Sequence, residues 1–292
     1  MIRTYKATGI NLKSMPIGES DRVLTVLTRE FGLIRAVAPG VRKPRSTIGG
    51  RSELFVVNEL LIAKGRSLDK ITQAETVQSH PGLSRNLGKL ASAQYLAELA
   101  IASALSDEPQ EELFCLLSEH LSRLERLSDR TDTDSLALLV AHLDQGIFHL
   151  LALAGVAPQV QVCCATRRPL TPNFSDPNWQ IGFSIPSGGT FSLSELANLE
   201  IERSPATGSF SGSASRSPQT SGSKHLTNFY INANELNALQ QLASPELAAG
   251  GKDDRAAWVS VENILRQYAQ YHLGCAIRSG SSIDAYLESF EF

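Results

Sequence analysis

The chain has 292 residues, 42% of them hydrophobic, with 27 Lys and Arg against 30 Asp and Glu and a formal net charge of -3. That is enough apolar material for two or three domains with real cores. No apolar run approaches the roughly 20 residues of a membrane span, and the opening MIRTYKATG lacks the apolar core of a signal peptide. Cys115, Cys163, Cys164 and Cys275 are too few and too scattered for a disulfide framework. These features predict a soluble cytoplasmic protein with no membrane partner.

The charge is unevenly divided. Residues 1–80 carry 13 Lys and Arg against 7 Asp and Glu, a net +6, which leaves -9 for the remainder. A basic segment in an acidic chain points to a polyanion partner for that segment.

Residues 1–80 read as strands. TYKATGINLK, DRVLTVLTREFG, LIRAVAPG, ELFVVNELLIAKG and ITQAETV are short runs rich in β-branched residues, separated by Gly and Pro. Five short strands predict a small barrel: an OB-fold, the five-stranded Greek-key barrel that binds oligonucleotides, with an SH3-like barrel as the alternative. Glu19 and Asp21 in IGESDR are too few oxygens for a cation site and read as a turn, with Asp21 accepting local amides. The run GVRKPRSTIGGR, residues 40–51, follows the third strand. Its Pro44, Gly49 and Gly50 make a regular element improbable, so Arg42, Lys43, Arg45 and Arg51 are expected on a loop. A Lys/Arg run on a loop is by default a solvated surface. Its place on a barrel, with Arg22, Arg35, Lys64 and Arg66 extending the charge, makes it the candidate DNA-binding surface.

From residue 82 the period becomes helical. Leu83, Leu87 and Leu90, then Leu113, Leu117, Leu121 and Leu124, then Leu136, Val140, Leu143, Ile147 and Leu150 recur at three and four. Three amphipathic helices are predicted over 81–157, with Asp107 and Asp134 as N-caps. His142, Asp144 and His149 lie on the third and receive no catalytic role. Residues 158–200 break the period, and SPATGSFSGSASRSPQTSGSK makes 201–224 a disordered Ser/Gly-rich loop. Trp258, Val261, Leu265, Tyr268 and His272 describe a final helix in a segment, 225–292, expected to return to the helical domain. No phosphate-binding loop, HExxH or GxSxG occurs, so no enzyme is expected. An enzyme or small-ligand-binding protein with a dispersed site, or a purely structural adaptor, are the competing readings.

IGESDRVLTVLTREFGLIRAVAPGVRKPRS and FVVNELLIAKGRSLDKITQAE resemble the N-terminal OB-fold of the RecO family of recombinational DNA-repair proteins, with ESD, TREFG, RAVAPG and RKPRS in the family's order and spacing. The likeness continues to LLALAGVAPQ and fades afterwards. It implies an OB-fold, a helical domain and a small zinc-binding insert. It also implies binding of single- and double-stranded DNA, strand annealing, nucleoid association, and cooperation with RecR and single-strand-binding protein in loading RecA. The acidic, apolar-ended tail of single-strand-binding protein would dock on the helical domain, with Arg85, Lys89, Arg123 and Arg126 as rims. The insert departs from the family pattern. Where zinc-binding relatives carry CxxC and a later GGxxCxxC, this chain reads CCATRRPL and GGTFSLSE. Cys163 keeps the first ligand position, while Thr166, Ser192 and Glu195 replace the other three. No cofactor is expected, zinc included, and packing of Phe174, Trp179, Phe183 and Phe191 is predicted to hold a degenerate zinc-finger-like insert.

Overall fold

The computed structural model describes residues 4–195, 228–247 and 255–290. It divides into two compact units, Met1–Ala157 with Leu242–Phe292, and Pro158–Gln241.

The first unit opens with β1 (Thr4–Ile17), β2 (Asp21–Thr28), β3 (Gly32–Ala38), β4 (Val57–Ala63) and β5 (Asp69–Gln78), which close into a barrel in the order β1-β2-β3-β5-β4. All neighbours are antiparallel except β3 and β5, whose parallel pairing of Ala36 with Asp69 and Val37 with Lys70 shuts the cylinder. β1 is long enough to serve two partners. Residues 4–10 pair with β4, and residues 9–17 pair with β2 across an irregularity between Asn11 and Lys13, so the two partners overlap at Gly9 and Ile10. This is the OB-like arrangement. Alternation puts Ala7, Leu24, Val26, Ala36, Leu60, Ile62 and Ile71 inside.

Three helices follow: α1 (Leu87–Ser103), α2 (Glu111–Arg126) and α3 (Thr133–Leu153). Asn86 caps α1, its side-chain oxygen accepting the amides of Gly88 and Lys89 at 2.8 and 3.1 Å. The expected caps are displaced. Asp107 sits at φ +62° with its amide on the Phe31 carbonyl, so α2 begins only after Gln110. The cap of α3 is Asp132, which accepts the Ser135 amide, and Asp134 falls inside the first turn. Leu87 is 73% exposed and Leu83 belongs to a short 3-10 helix, so the stripe read there is not one face of a helix.

α3 corrects the membrane reading. It is long and apolar enough by length and composition to cross a bilayer, with a mean hydropathy of 1.6 in its most apolar window. Two-thirds of that window, 67%, is buried in the fold, and Asp144 and Gln145 are fully buried within it, as in the central helix of a bundle. Leu242–Phe292 supplies α5 (Arg255–Leu273), which packs on α3, and α6 (Gly280–Glu288), which packs on α1.

The second unit holds β6 (Gln180–Ser184), β7 (Gly189–Phe191), β8 (Asn228–Asn232) and α4 (Ala233–Gln241), with strand order β7-β6-β8. β8 and α4 therefore belong with the insert and not with the helical domain, because β8 pairs along the full length of β6. Phe183 and Phe191 are buried, whereas Phe174 is 63% exposed and Trp179 only half-buried, so two of the four aromatics expected in this core supply it. The Ser/Gly-rich segment 201–224 lies outside the described residues.

Candidate nucleic-acid interface

The basic run forms the connection between β3 and β4. OB-folds bind oligonucleotides mainly through strands 2 and 3 and the loops following strands 1 and 4, so this run is not itself one of those loops. It is nevertheless tied to the first of them. Asp21 Oδ1 accepts the Gly40 amide at 2.7 Å, and the Arg42 amide donates to the Ser20 carbonyl at 2.9 Å. Val41 and Ile48 dip into the barrel core, 7% and 8% exposed. Between these two apolar anchors the chain arches outward, entered through Gly40 and turning at Arg45, both in left-handed conformation at φ +64°. Arg42, Lys43 and Arg45 are consequently exposed, and none is ion-paired among the described residues.

Lys70, at the start of β5, completes this surface. With Lys43 and Arg45 it lines a groove of about 530 Å³. The Gly40 amide, the Ser20 hydroxyl and, at longer range, Lys43 and Lys70 hold the Asp21 carboxyl below its usual range. Asp21 is therefore a carboxylate that organises the loop: the amide it accepts is that of Gly40 just past the end of β3, while its own turn supplies the Ser20 hydroxyl at 2.8 Å.

The other expected cations are differently placed. Arg22 is half-buried and pairs with Glu53 at 3.3 Å. Arg51 donates to the Thr47 carbonyl at 2.5 Å, and its own carbonyl accepts from the buried Asn11 and Asn58 side chains. Both are engaged in holding the loop. Lys64 lies 3.8 Å from Asp69 and 5.8 Å from the Tyr5 ring centre. Arg66 is exposed beside it without an ion pair among the described residues, and Arg35 projects from β3 into a separate cleft. The structure therefore gathers Lys43 and Arg45 with Lys70, keeps Arg42 on the same arch, and sets Arg22 and Arg51 behind them as supports. A lone lysine on a strand carries no sequence signal, so Lys70 could be found only from the pairing of β5 with β3.

Of the four residues expected as rims on the helices, Lys89 is 2% exposed and cannot serve. Its ammonium donates to the carbonyls of Glu125 and Leu127 at 3.2 and 2.6 Å and pairs with Asp129 at 2.6 Å, closing the C-terminal end of α2. Arg123 is engaged by Glu119, by Gln145 at 2.9 Å and by the Pro245 carbonyl at 2.8 Å. Arg85 and Arg126 remain exposed.

In the insert, burial alone would raise the Cys163 thiol. The Thr166 hydroxyl and the amides of Thr166, Ser192 and Ala165 outweigh it and lower the thiol below its ordinary value. Three of the four positions expected around a metal thus converge, with Glu195 one turn beyond Ser192. They supply one thiol, two hydroxyls and a carboxylate, which do not fit a structural zinc site built on soft thiolate and imidazole donors. No three His, Cys, Asp or Glu side chains gather as a metal site among the described residues.

The family description "Recombination protein O N terminal" matches residues 1–80, and "Recombination protein O C terminal" matches residues 84–199. Proteins named DNA repair protein RecO are similar along the whole chain. The one from a Nostoc species is 55% identical over 98% of this chain and 97% of its own. Those of Nostoc punctiforme and Trichodesmium erythraeum are 53% and 52% identical, over 98% and 99% of this chain and 97% and 96% of their own. With the OB-like barrel and the helices behind it, these matches establish that the chain belongs to the recombination protein O family.

Proposed function

We propose that this chain is a non-catalytic mediator of recombinational DNA repair that binds single- and double-stranded DNA through its barrel. The observation that carries this reading is the outward arch of Arg42, Lys43 and Arg45 between two buried anchors, facing Lys70 and without compensating ion pairs among the described residues. Cations held away from carboxylates are available to phosphates, and each phosphate neutralised releases counterions regardless of base sequence. Annealing follows without a catalytic group, because neutralising two strands lowers their repulsion and holding both raises their effective concentration. Family membership supports cooperation with RecR and single-strand-binding protein in loading RecA, acting on the nucleoid in the cytoplasm. Arg85 and Arg126 are the exposed cations on the helical part suited to the acidic tail of single-strand-binding protein.

The test is the triple variant Arg42→Glu, Lys43→Glu, Arg45→Glu, titrated with DNA over a range of salt. Single strands and duplexes should weaken together, and the slope of log K against log salt should flatten by roughly 0.7–0.9 for each lost contact. The fold should persist, since exposed charges contribute little to stability. A folded variant with unchanged affinity and slope would show the arch to be an ordinary solvated surface.

A further inference from the structure

A groove of about 570 Å³ opens where the connection from α1 to α2 meets the C-terminal end of α3. The buried Leu113 and Leu150 line it, together with Leu105 and Leu153, which are 54% and 38% exposed. Leu105 is held in place by its backbone. Its carbonyl accepts the Leu33 amide at 2.9 Å, the Asp107 amide donates to the Phe31 carbonyl at 3.1 Å, and the Gln110 amide donates to the Arg29 carbonyl at 2.9 Å. These bonds staple the connection along the hairpin of β2 and β3, with Asp107 turning at φ +62°. A leucine on a loose loop can swing back onto its own fold, whereas this one is fixed on both sides. Single exposed leucines are ordinary, but two in one groove with a leucine lining form a continuous apolar strip.

The charge around this strip has one sign. Glu111 and Glu112 line the groove, and Asp107 and Glu108 stand on the connection that forms its wall. All four are exposed, and none is in an ion pair among the described residues. From Leu90 to Ser122 the chain has six carboxylates and no Lys or Arg. The dipole of α2 accounts for carboxylates in its first turn, but not for exposed leucines fixed beside them. We propose that this groove docks a cationic amphipathic helix of a partner protein, its Leu or Ile side chains entering beside Leu105 and Leu153 and its Lys or Arg meeting Glu111 and Glu112. The rim decides the occupant's charge. It repels nucleic acid, and it repels the acidic tail of single-strand-binding protein assigned to Arg85 and Arg126. A helix suits the groove because apolar residues three and four apart make one strip and leave both flanks for cations. This surface goes beyond DNA binding and does not depend on it.

The test titrates the full chain with a fluorescent peptide of about 14 residues, with Leu at three- and four-residue spacing and Lys on both flanks. Wild type should bind it in the micromolar range, and Leu105→Ser with Leu153→Ser should weaken it about tenfold while DNA affinity stays within about twofold. Glu111→Lys with Glu112→Lys should weaken this peptide and strengthen a companion peptide carrying Glu at every Lys position. Glu111→Gln with Glu112→Gln, which adds no repulsion, should shift the first peptide the same way by less, and an unchanged circular dichroism spectrum excludes misfolding. Glu59→Lys with Glu75→Lys, an exposed cross-strand pair on β4 and β5, should leave peptide binding within about twofold. Three outcomes would overturn the proposal: no binding by wild type, leucine variants that bind as well as wild type, or equal losses from the two charge reversals. The Arg42, Lys43 and Arg45 variant should lose DNA and keep the peptide, so failure of the DNA reading and failure of this one are read separately.

Discussion

Asp21 and Gly40 are joined by a 2.7 Å hydrogen bond that fastens the turn between β1 and β2 to the foot of the basic arch. Asp21→Ala should leave the barrel folded and speed amide exchange of residues 40–45 by roughly tenfold, since a charged acceptor is lost. Because the carboxyl is depressed below 3.8, its contribution is complete above that value and is lost as pH falls through the lower folded value. The wild-type arch should therefore loosen only below about pH 4. Hydrogen exchange followed by mass spectrometry checks both statements, and unaltered exchange in the variant would show that other contacts hold the arch.

Acid should strike the bundle earlier, through its histidines. His149 Nε2 donates to the Leu242 carbonyl at 2.9 Å, which leaves its Nδ1 to accept from His120 Nε2 at 3.1 Å. Burial, reinforced by the neighbouring His149, Arg123 and His142, pushes His120 down to about 3, and burial with Arg123 brings His142 to about 4. In the unfolded chain these groups protonate near 6.5, so stability is full above that pH and falls as pH drops toward the folded values. Between pH 7 and pH 5, His120 alone should account for about 2 kcal/mol of loss. Thermal melts of wild type and His120→Gln should show a smaller acid-induced drop in Tm for the variant. Parallel drops would assign the effect elsewhere.

Asp144 should act in the opposite direction. It is wholly buried on α3, and neither carboxyl oxygen has a hydrogen-bond partner among the described residues. Burial first, then the negative Glu262, raises its carboxyl well above 3.8, and Arg266 offsets this only in part, being itself paired to Glu262 and Asp284. The folded state holds a proton that the unfolded state releases, so stability falls as pH rises from 3.8 toward the folded value. Asp144→Asn has no proton to lose. It should melt higher than wild type at pH 7, by an amount that grows as pH rises above 3.8 and levels off once the folded value is passed. A variant that melted lower at every pH would mean the carboxyl makes a contact that an amide cannot.

Purified protein should hold far less than one zinc per chain, and chelator should leave its melting curve unchanged, because Thr166, Ser192 and Glu195 stand where thiolates would be required. Elemental analysis giving stoichiometric zinc after mild chelation would defeat this.

The barrel was legible because its strands are short runs rich in β-branched residues and Gly and Pro punctuate them; which of their residues face inward, Leu24, Val26, Ala36 and Ala38 among them, came from the closed sheet. α1 was legible as a helix but not by its face, since Ala91, Ala93, Leu96, Ala97 and Leu99 bury nearly all of its sides. The basic arch was visible as composition. What makes it an arch, the burial of Val41 and Ile48 and the reach of Asp21, depends on contacts across the barrel. Lys89 looked like any surface lysine until the carbonyls of Glu125 and Leu127 were placed at its end. Arg278 lies far along the chain from Arg35, and only the docking of α6 on α1 sets both along one cleft.

The route of the chain through α3 and α5 sets a schedule for synthesis. α3 ends at Leu153, and its packing partner α5 begins only at Arg255, after the whole second unit. At the pace of a ribosome the intervening stretch takes roughly 5–20 s. During that interval the most apolar helix of the molecule has α1 and α2 beside it but waits for the helix that completes its cover. A nascent chain paused in the second unit would present this surface to holdase chaperones, and the window closes once residue 273 has left the exit tunnel.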